Sequence, residues 1–117
     1  MARRDLSGAV DFGYLEDYTM NDSLIMDEVL GLFQAQAELW RPLLTLSHEG
    51  WRDAAHTLKG AALGIGAKGL AAIASETEKC AETGATASLE SLKNALNDAL
   101  MDVAAYRHEL QLRGLKR

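Results

Sequence analysis

Cysteine occurs once in this sequence, at Cys80, and proline once, at Pro42. A single thiol closes no internal disulfide, which suits a reducing compartment, and Cys80 is expected as a packed thiol rather than a reactive one. Apolar runs are short: none approaches the roughly 18 residues that suggest a bilayer span. The first residues, Met-Ala-Arg-Arg-Asp-Leu-Ser-Gly, start charged with no apolar stretch behind, so no secretory signal is expected. Positive charge is in deficit, with 12 Lys and Arg against 17 Asp and Glu, a formal net charge of -5. That balance lacks the basic footprint of a nucleic-acid binder and disfavours docking on anionic lipid. The expectation is a cytoplasmic protein with no nucleic acid and no membrane among its partners.

Strand patterns are missing too: no alternating Val, Ile and Thr run is bounded by turns. What is present is apolar and helical. Hydrophobic residues make up 48% of 117 positions, enough to bury one core and too many for a disordered chain. One domain is expected over 1–117, with its core at about 11–110. Residues 11–18 suit a short first helix, and Met20-Asn21-Asp22 a turn with Asp22 as N-cap. A long helix is predicted from Leu24 to about Leu46, with Ile25, Val29, Leu32, Phe33, Leu39, Trp40 and Leu43 on one face. Pro42 should kink or break it. Ser47-His48-Glu49-Gly50 reads as a connection, and a third helix fits 51–64. Gly64-Ile65-Gly66 then marks a turn.

A fourth helix fits 67–83, with Leu70, Ile73, Ala74, Thr77 and Ala81 inward and Gly84 as its stop. Thr86 or Ser88 then caps a last helix carrying Leu89, Leu92, Leu96, Leu100, Val103, Tyr106 and Leu110. The tail from Gln111 to Arg117 is expected to fray. Short loops between long helices predict an all-α protein, an antiparallel four-helix bundle with a short additional N-terminal helix.

The third helix carries the candidate chemistry. Counting 100° per residue, Ala54, Ala55, Leu58, Ala62 and Ile65 fall within roughly 60° of Trp51, forming a core stripe. His56 lies roughly 140° from the centre of that stripe, facing water. Lys59, Gly60 and Leu63 stand three, four and seven residues beyond it on the same side. A neutral imidazole is a competent nucleophile that titrates near neutrality. Phosphoryl transfer asks chiefly for in-line access and charge neutralisation. Lys59 suits pairing with phosphoryl oxygens, and Gly60 leaves clearance at a mid-helix cost of about 0.5–1 kcal/mol. Asp53 is a candidate hydrogen-bond partner for the imidazole. His48 and His108 read as ordinary surface residues. No Glu-x-x-His pair occurs, so no metal site is expected.

Ala55-His56-Thr57-Leu58-Lys59-Gly60 resembles the His-x-Leu-Lys-Gly signature of histidine-containing phosphotransfer (HPt) domains. Ile65-Gly66-Ala67 and Leu70 resemble the family's turn into the next helix. Asp11-Phe12, Leu15, Tyr18-Thr19 and the run to Phe33 resemble its lead-in. The resemblance covers roughly 11–110. It implies a phosphorelay intermediate that carries a phosphoryl group between aspartates of response-regulator receiver domains. His56 would be the phosphoacceptor, Lys59 the phosphate-stabilising residue and Gly60 the clearance residue. Receiver domains and a hybrid sensor histidine kinase are the implied partners. No cofactor is expected in this chain, since Mg²⁺ belongs to the receiver, and no autonomous catalytic activity is expected. A monomer is expected, and the short lead-in favours a freestanding protein.

Two positions depart from the family pattern. Ala61 stands where serine is frequent, and Glu78, facing the histidine from the next helix, where glutamine or a basic residue is frequent. A carboxylate there works against a phosphohistidine dianion, with Lys68 as a candidate counter-charge. Arg52, Leu63, Lys68 and Glu78 are candidate partner-docking residues, with Tyr14, Tyr18 and Met20 at the patch edge. The alternative reading is a docking module of the same fold that binds and regulates a receiver domain or kinase without carrying phosphate; a self-associating structural bundle is a third.

Overall fold

The computed structural model describes residues 8–115; the reading of the leader at 1–7 and the last two residues of the tail lie outside them. Helix α1 spans Phe12–Tyr18, started by the Asp11 carboxylate, which accepts the Tyr14 N–H at 3.3 Å. The chain reverses through Met20 and Asn21, both left-handed at φ 56° and 60°. Helix α2 spans Ser23–Trp40, with Asp22 its N-cap as expected: the carboxylate accepts from Leu24 and Ile25 at 3.0 and 3.1 Å. Pro42 breaks it, and Arg41–Leu43 form a single 3₁₀ turn.

Helix α3 spans Trp51–Ile65, α4 Lys68–Lys79 and α5 Glu82–Leu115. Contacts run α2 to α3, α3 to α4, α4 to α5 and α5 back to α2, which closes a four-helix bundle. The short α1 packs against α3, and its Phe12 stacks on Tyr106 of α5. All described elements are helical. No helix among the described residues is long and apolar enough to cross a membrane.

Gly66 turns α3 into α4 at φ 86°, a left-handed cap. Its carbonyl accepts the Asp11 N–H at 2.9 Å, and a Cβ there would stand 2.6 Å from the Asp11 oxygen. Glycine is therefore required twice over, for backbone conformation and for the close approach of the N-terminal segment.

The structure redraws parts of the sequence reading. The buried stripe of α2 is Met26, Leu30, Phe33 and Ala37, whereas Ile25, Leu32 and Leu39 are exposed. Of the expected face, Phe33 is buried, and Val29, Trp40 and Leu43 pack partly buried against the core. Helix α4 ends at Lys79, because Cys80 adopts extended backbone at φ -74° and ψ 158°. Ala81 is exposed, and Gly84, Thr86 and Ser88 lie inside α5 rather than stopping or capping a helix. Ser88 serves instead as a tie, its hydroxyl 2.7 Å from that of buried Thr77. Helix α5 continues through the expected frayed segment to Leu115.

Helix α5 is the common wall. Its first half lies against α4, and Leu89, Leu92, Leu96, Val103, Tyr106 and Leu110 are buried along it. Arg107 fastens its second half to α2, donating from Nε to Asp27 at 2.6 Å and from Nη1 to Gln34 at 2.6 Å. The Tyr106 hydroxyl donates to Glu16 of α1, and the Ala9 N–H donates to buried Asp102 at 3.1 Å.

Candidate functional site

The core stripe of α3 holds as the spacing predicts: Trp51, Ala54, Ala55, Leu58, Ala62 and Ile65 are buried. That fixes the rotation of the helix and turns His56 outward, with 64% of its side chain exposed. The hairpin turn at Gly66 folds α4 back antiparallel, so a residue ten positions before the turn meets one twelve positions after it. Those residues are His56 and Glu78. Glu78 Oε2 lies 2.7 Å from His56 Nδ1, and Glu78 Oε1 lies 3.4 Å from Lys59 Nζ. Glu78 Oε1 is closed off from solvent, and Lys59 is its ion-pair partner.

The electrostatics of Glu78 decide the tautomer of His56. Partial burial pushes its carboxyl pKa up, but the hydrogen bonds and charges of His56 and Lys59 outweigh this and hold it below its ordinary value of 4.5. Near neutrality Glu78 is therefore an ionised acceptor, and the proton between the two groups sits on Nδ1. A neutral His56 then carries its lone pair on Nε2, the nitrogen not engaged by Glu78.

The expected site residues divide in two. His56, Lys59 and Glu78 meet. Gly60 leaves open space, since a Cβ built there meets nothing within 4 Å. Leu63 is 51% exposed one further turn along α3. Beside it a shallow apolar groove runs between α2 and α3, lined by Val29, Leu32, Phe33, Ala61, Gly64 and Ile65.

Lys68 is not brought to the site. It opens α4 at the far end of the hairpin, about 14 Å of helix rise beyond His56. Asp53 is exposed, and the ring hydrogen bond of His56 goes to Glu78 instead. Arg52 lies across the hairpin: Nη1 donates to the Glu78 carbonyl at 2.8 Å, and the guanidinium lies 4.3 Å from the Trp51 ring centre. Sequence position alone placed Glu78 opposite the histidine but not its hydrogen bond to the ring. It is a partner of the imidazole before any phosphate arrives. Among the described residues no cluster of three or more His, Cys, Asp and Glu is arranged to hold a metal ion.

Comparison with known proteins agrees with this geometry. The family model described as Hpt domain matches residues 28–110. No curated protein matches the sequence. Among solved structures, the histidine phosphotransferase ShpA from Caulobacter crescentus is similar with 50% identity and a TM-score of 0.81, covering 92% of this chain and 99% of that one.

Proposed function

The chain belongs to the Hpt domain family and is a phosphorelay intermediate; we propose that it carries its phosphoryl group on Nε2 of His56, between aspartates of response-regulator receiver domains. The observation that carries this reading is the 2.7 Å bond from Nδ1 to Glu78 on an imidazole that is otherwise exposed. Acceptance is an in-line displacement. The Nε2 lone pair forms the N–P bond as the O–P bond of the partner's aspartyl phosphate breaks, and the electron pair leaves on the aspartate oxygen. The ring becomes positively charged and keeps its Nδ1 proton, and Glu78 offsets that charge. The reverse displacement delivers the group to the next receiver.

Lys59 supplies the cation for the phosphoryl oxygens once its hold on Glu78 loosens, and Gly60 keeps the approach open. Mg²⁺ belongs to the acidic site of the receiver, so the carrier needs none of its own. A hybrid sensor kinase is the upstream partner in this reading. Leu63 is exposed on the His56 side of α3 and suits a helical face of a receiver.

The test is transfer from a pre-phosphorylated receiver domain to the wild-type protein and to His56→Gln, read as acid-labile phosphate. Labelling of wild type alone is expected. A receiver that binds both forms and labels neither would support the docking-only alternative.

A further inference from the structure

Arg52 stands one turn before His56 on α3 and reaches across the hairpin to the main chain of α4. Helix α4 ends at Lys79, so the carbonyls of its last turn have no intrahelical donor. Cys80 is extended, and its N–H goes back to the Thr77 carbonyl at 3.3 Å. The Glu78 carbonyl is left to Arg52, which caps it at 2.8 Å. A cation at a helix C-terminus also complements the negative end of the helix dipole, here next to a carboxylate that would otherwise worsen it. The guanidinium is itself fixed, packed over the face of buried Trp51.

We infer that Arg52 is a positioning residue for the reactive histidine: by capping α4 at Glu78 it holds that carboxylate against Nδ1 of His56. The chain of contacts is continuous, from the Trp51 ring to the Arg52 guanidinium, to the Glu78 backbone, to the Glu78 carboxylate, to the imidazole. Last turns of helices fray when their carbonyls lack partners. A frayed last turn here moves the one group that sets the tautomer of His56. Lysine is a poor substitute, because a planar fork stacks on an indole while donating and an ammonium does not.

This inference rests on His56 being the phosphoacceptor, and the experiment keeps the two apart. The probe is phosphoramidate, a small donor that needs no protein partner, applied to wild type, Arg52→Met, Arg52→Lys, Glu78→Ala, Arg52→Met/Glu78→Ala and His56→Gln. Helix content and melting temperature are recorded for each. Arg52→Met is expected to slow labelling on the order of tenfold, the scale of coupling between contacting residues. In the Glu78→Ala background the same change should add nothing. The ¹⁵N shifts of the His56 ring in Arg52→Met should move from the Nδ1–H tautomer toward a mixture, and Arg52→Lys should fall between. Equal slowing by Arg52→Met with and without Glu78, or unchanged ring shifts in a slowed variant, overturns the inference. Should Arg52→Met not fold, Arg52→Lys carries the same comparison. Labelling of His56→Gln at the wild-type rate would instead overturn the assignment of the phosphoacceptor.

Discussion

The ring of Tyr106 lies flat on that of Phe12, with centroids 4.0 Å apart and planes within 8°. Both residues are buried, and the Tyr106 hydroxyl donates to Glu16. The pair joins the first helix to the last and closes the bundle at the end away from the α4–α5 connection.

Two outcomes follow for Tyr106. Replacing it by alanine removes a buried aromatic and should cost about 3–5 kcal/mol in denaturant unfolding. Burial first, and then the Glu16 carboxylate, push its phenol up to about 12 from an ordinary 10. Above pH 10 the unfolded chain gives up this proton while the folded one keeps it. Stability should therefore fall as pH rises from 10 toward 12, a loss that Tyr106→Phe lacks. Melting curves of the two proteins across that range make the comparison.

Glycine at 66 and glycine at 60 should respond in opposite directions. Gly66→Ala places a side chain at φ 86° and a Cβ 2.6 Å from the Asp11 oxygen, and should cost at least about 1–2 kcal/mol. Gly60→Ala puts a methyl into open space on a helix and should gain about 0.5–1 kcal/mol. Urea midpoints test both. A stabilised Gly60→Ala that accepts phosphate poorly from a receiver, yet normally from phosphoramidate, would identify clearance for the partner as the reason for glycine.

Asp27 and Arg107 form a half-buried ion pair between α2 and α5. The hydrogen bond from Arg107 is the main cause that holds the Asp27 carboxyl below its ordinary 3.8, against an opposing push from burial. Its contribution is complete above the unfolded value and disappears as pH falls through the lower folded one. Asp27→Asn should thus flatten the acid limb of the stability curve below pH 3.8. Arg107→Met strands the carboxylate and should cost about 1–3 kcal/mol at neutral pH.

Lys59 and Glu78 should act in opposite senses on phosphorylated His56. Glu78→Gln keeps an acceptor for Nδ1–H, removes a negative charge beside the phosphoryl group and frees Lys59. Its phosphohistidine should outlive the wild type by a few-fold, the scale of one exposed charge pair at about 0.2–1 kcal/mol. Lys59→Ala should shorten the lifetime by a similar factor. Both are read as decay of acid-labile phosphate at neutral pH, and equal lifetimes would show that Lys59 and Glu78 do not act on the phosphoryl group.

Helices α3 and α5 were legible in the sequence because each has a single apolar stripe, and burial follows that stripe residue for residue around Trp51–Ile65. The outward placement of His56 came with it. Helix α2 was read only partly on the right face: Phe33 is buried as expected, but spacing cannot choose between Ile25, Leu32 and Leu39 and the buried Met26, Leu30 and Ala37. That choice is made by what the neighbouring helices offer. The α4–α5 break was misplaced because neither glycine nor proline marks it: it falls at Cys80, while Gly84 sits in helix with room to spare. The contact of Arg52 was not legible because its partner is a main-chain carbonyl, and backbone acceptors leave no trace in residue identity.

The residues that hold the imidazole, from Arg52 to Glu78, all lie on one helical hairpin. The contact from His56 to Glu78 closes a separation of 22 residues, whereas Ala9 to Asp102 spans 93 and Glu16 to Tyr106 spans 90. Closing a short loop costs less chain entropy than closing a long one. The reactive surface is in this sense a local product of the chain, assembled when two neighbouring helices meet. The far end is sealed by the most distant segments finding each other, so opening there, as amide exchange at Ala9 would register it, need not disturb the histidine.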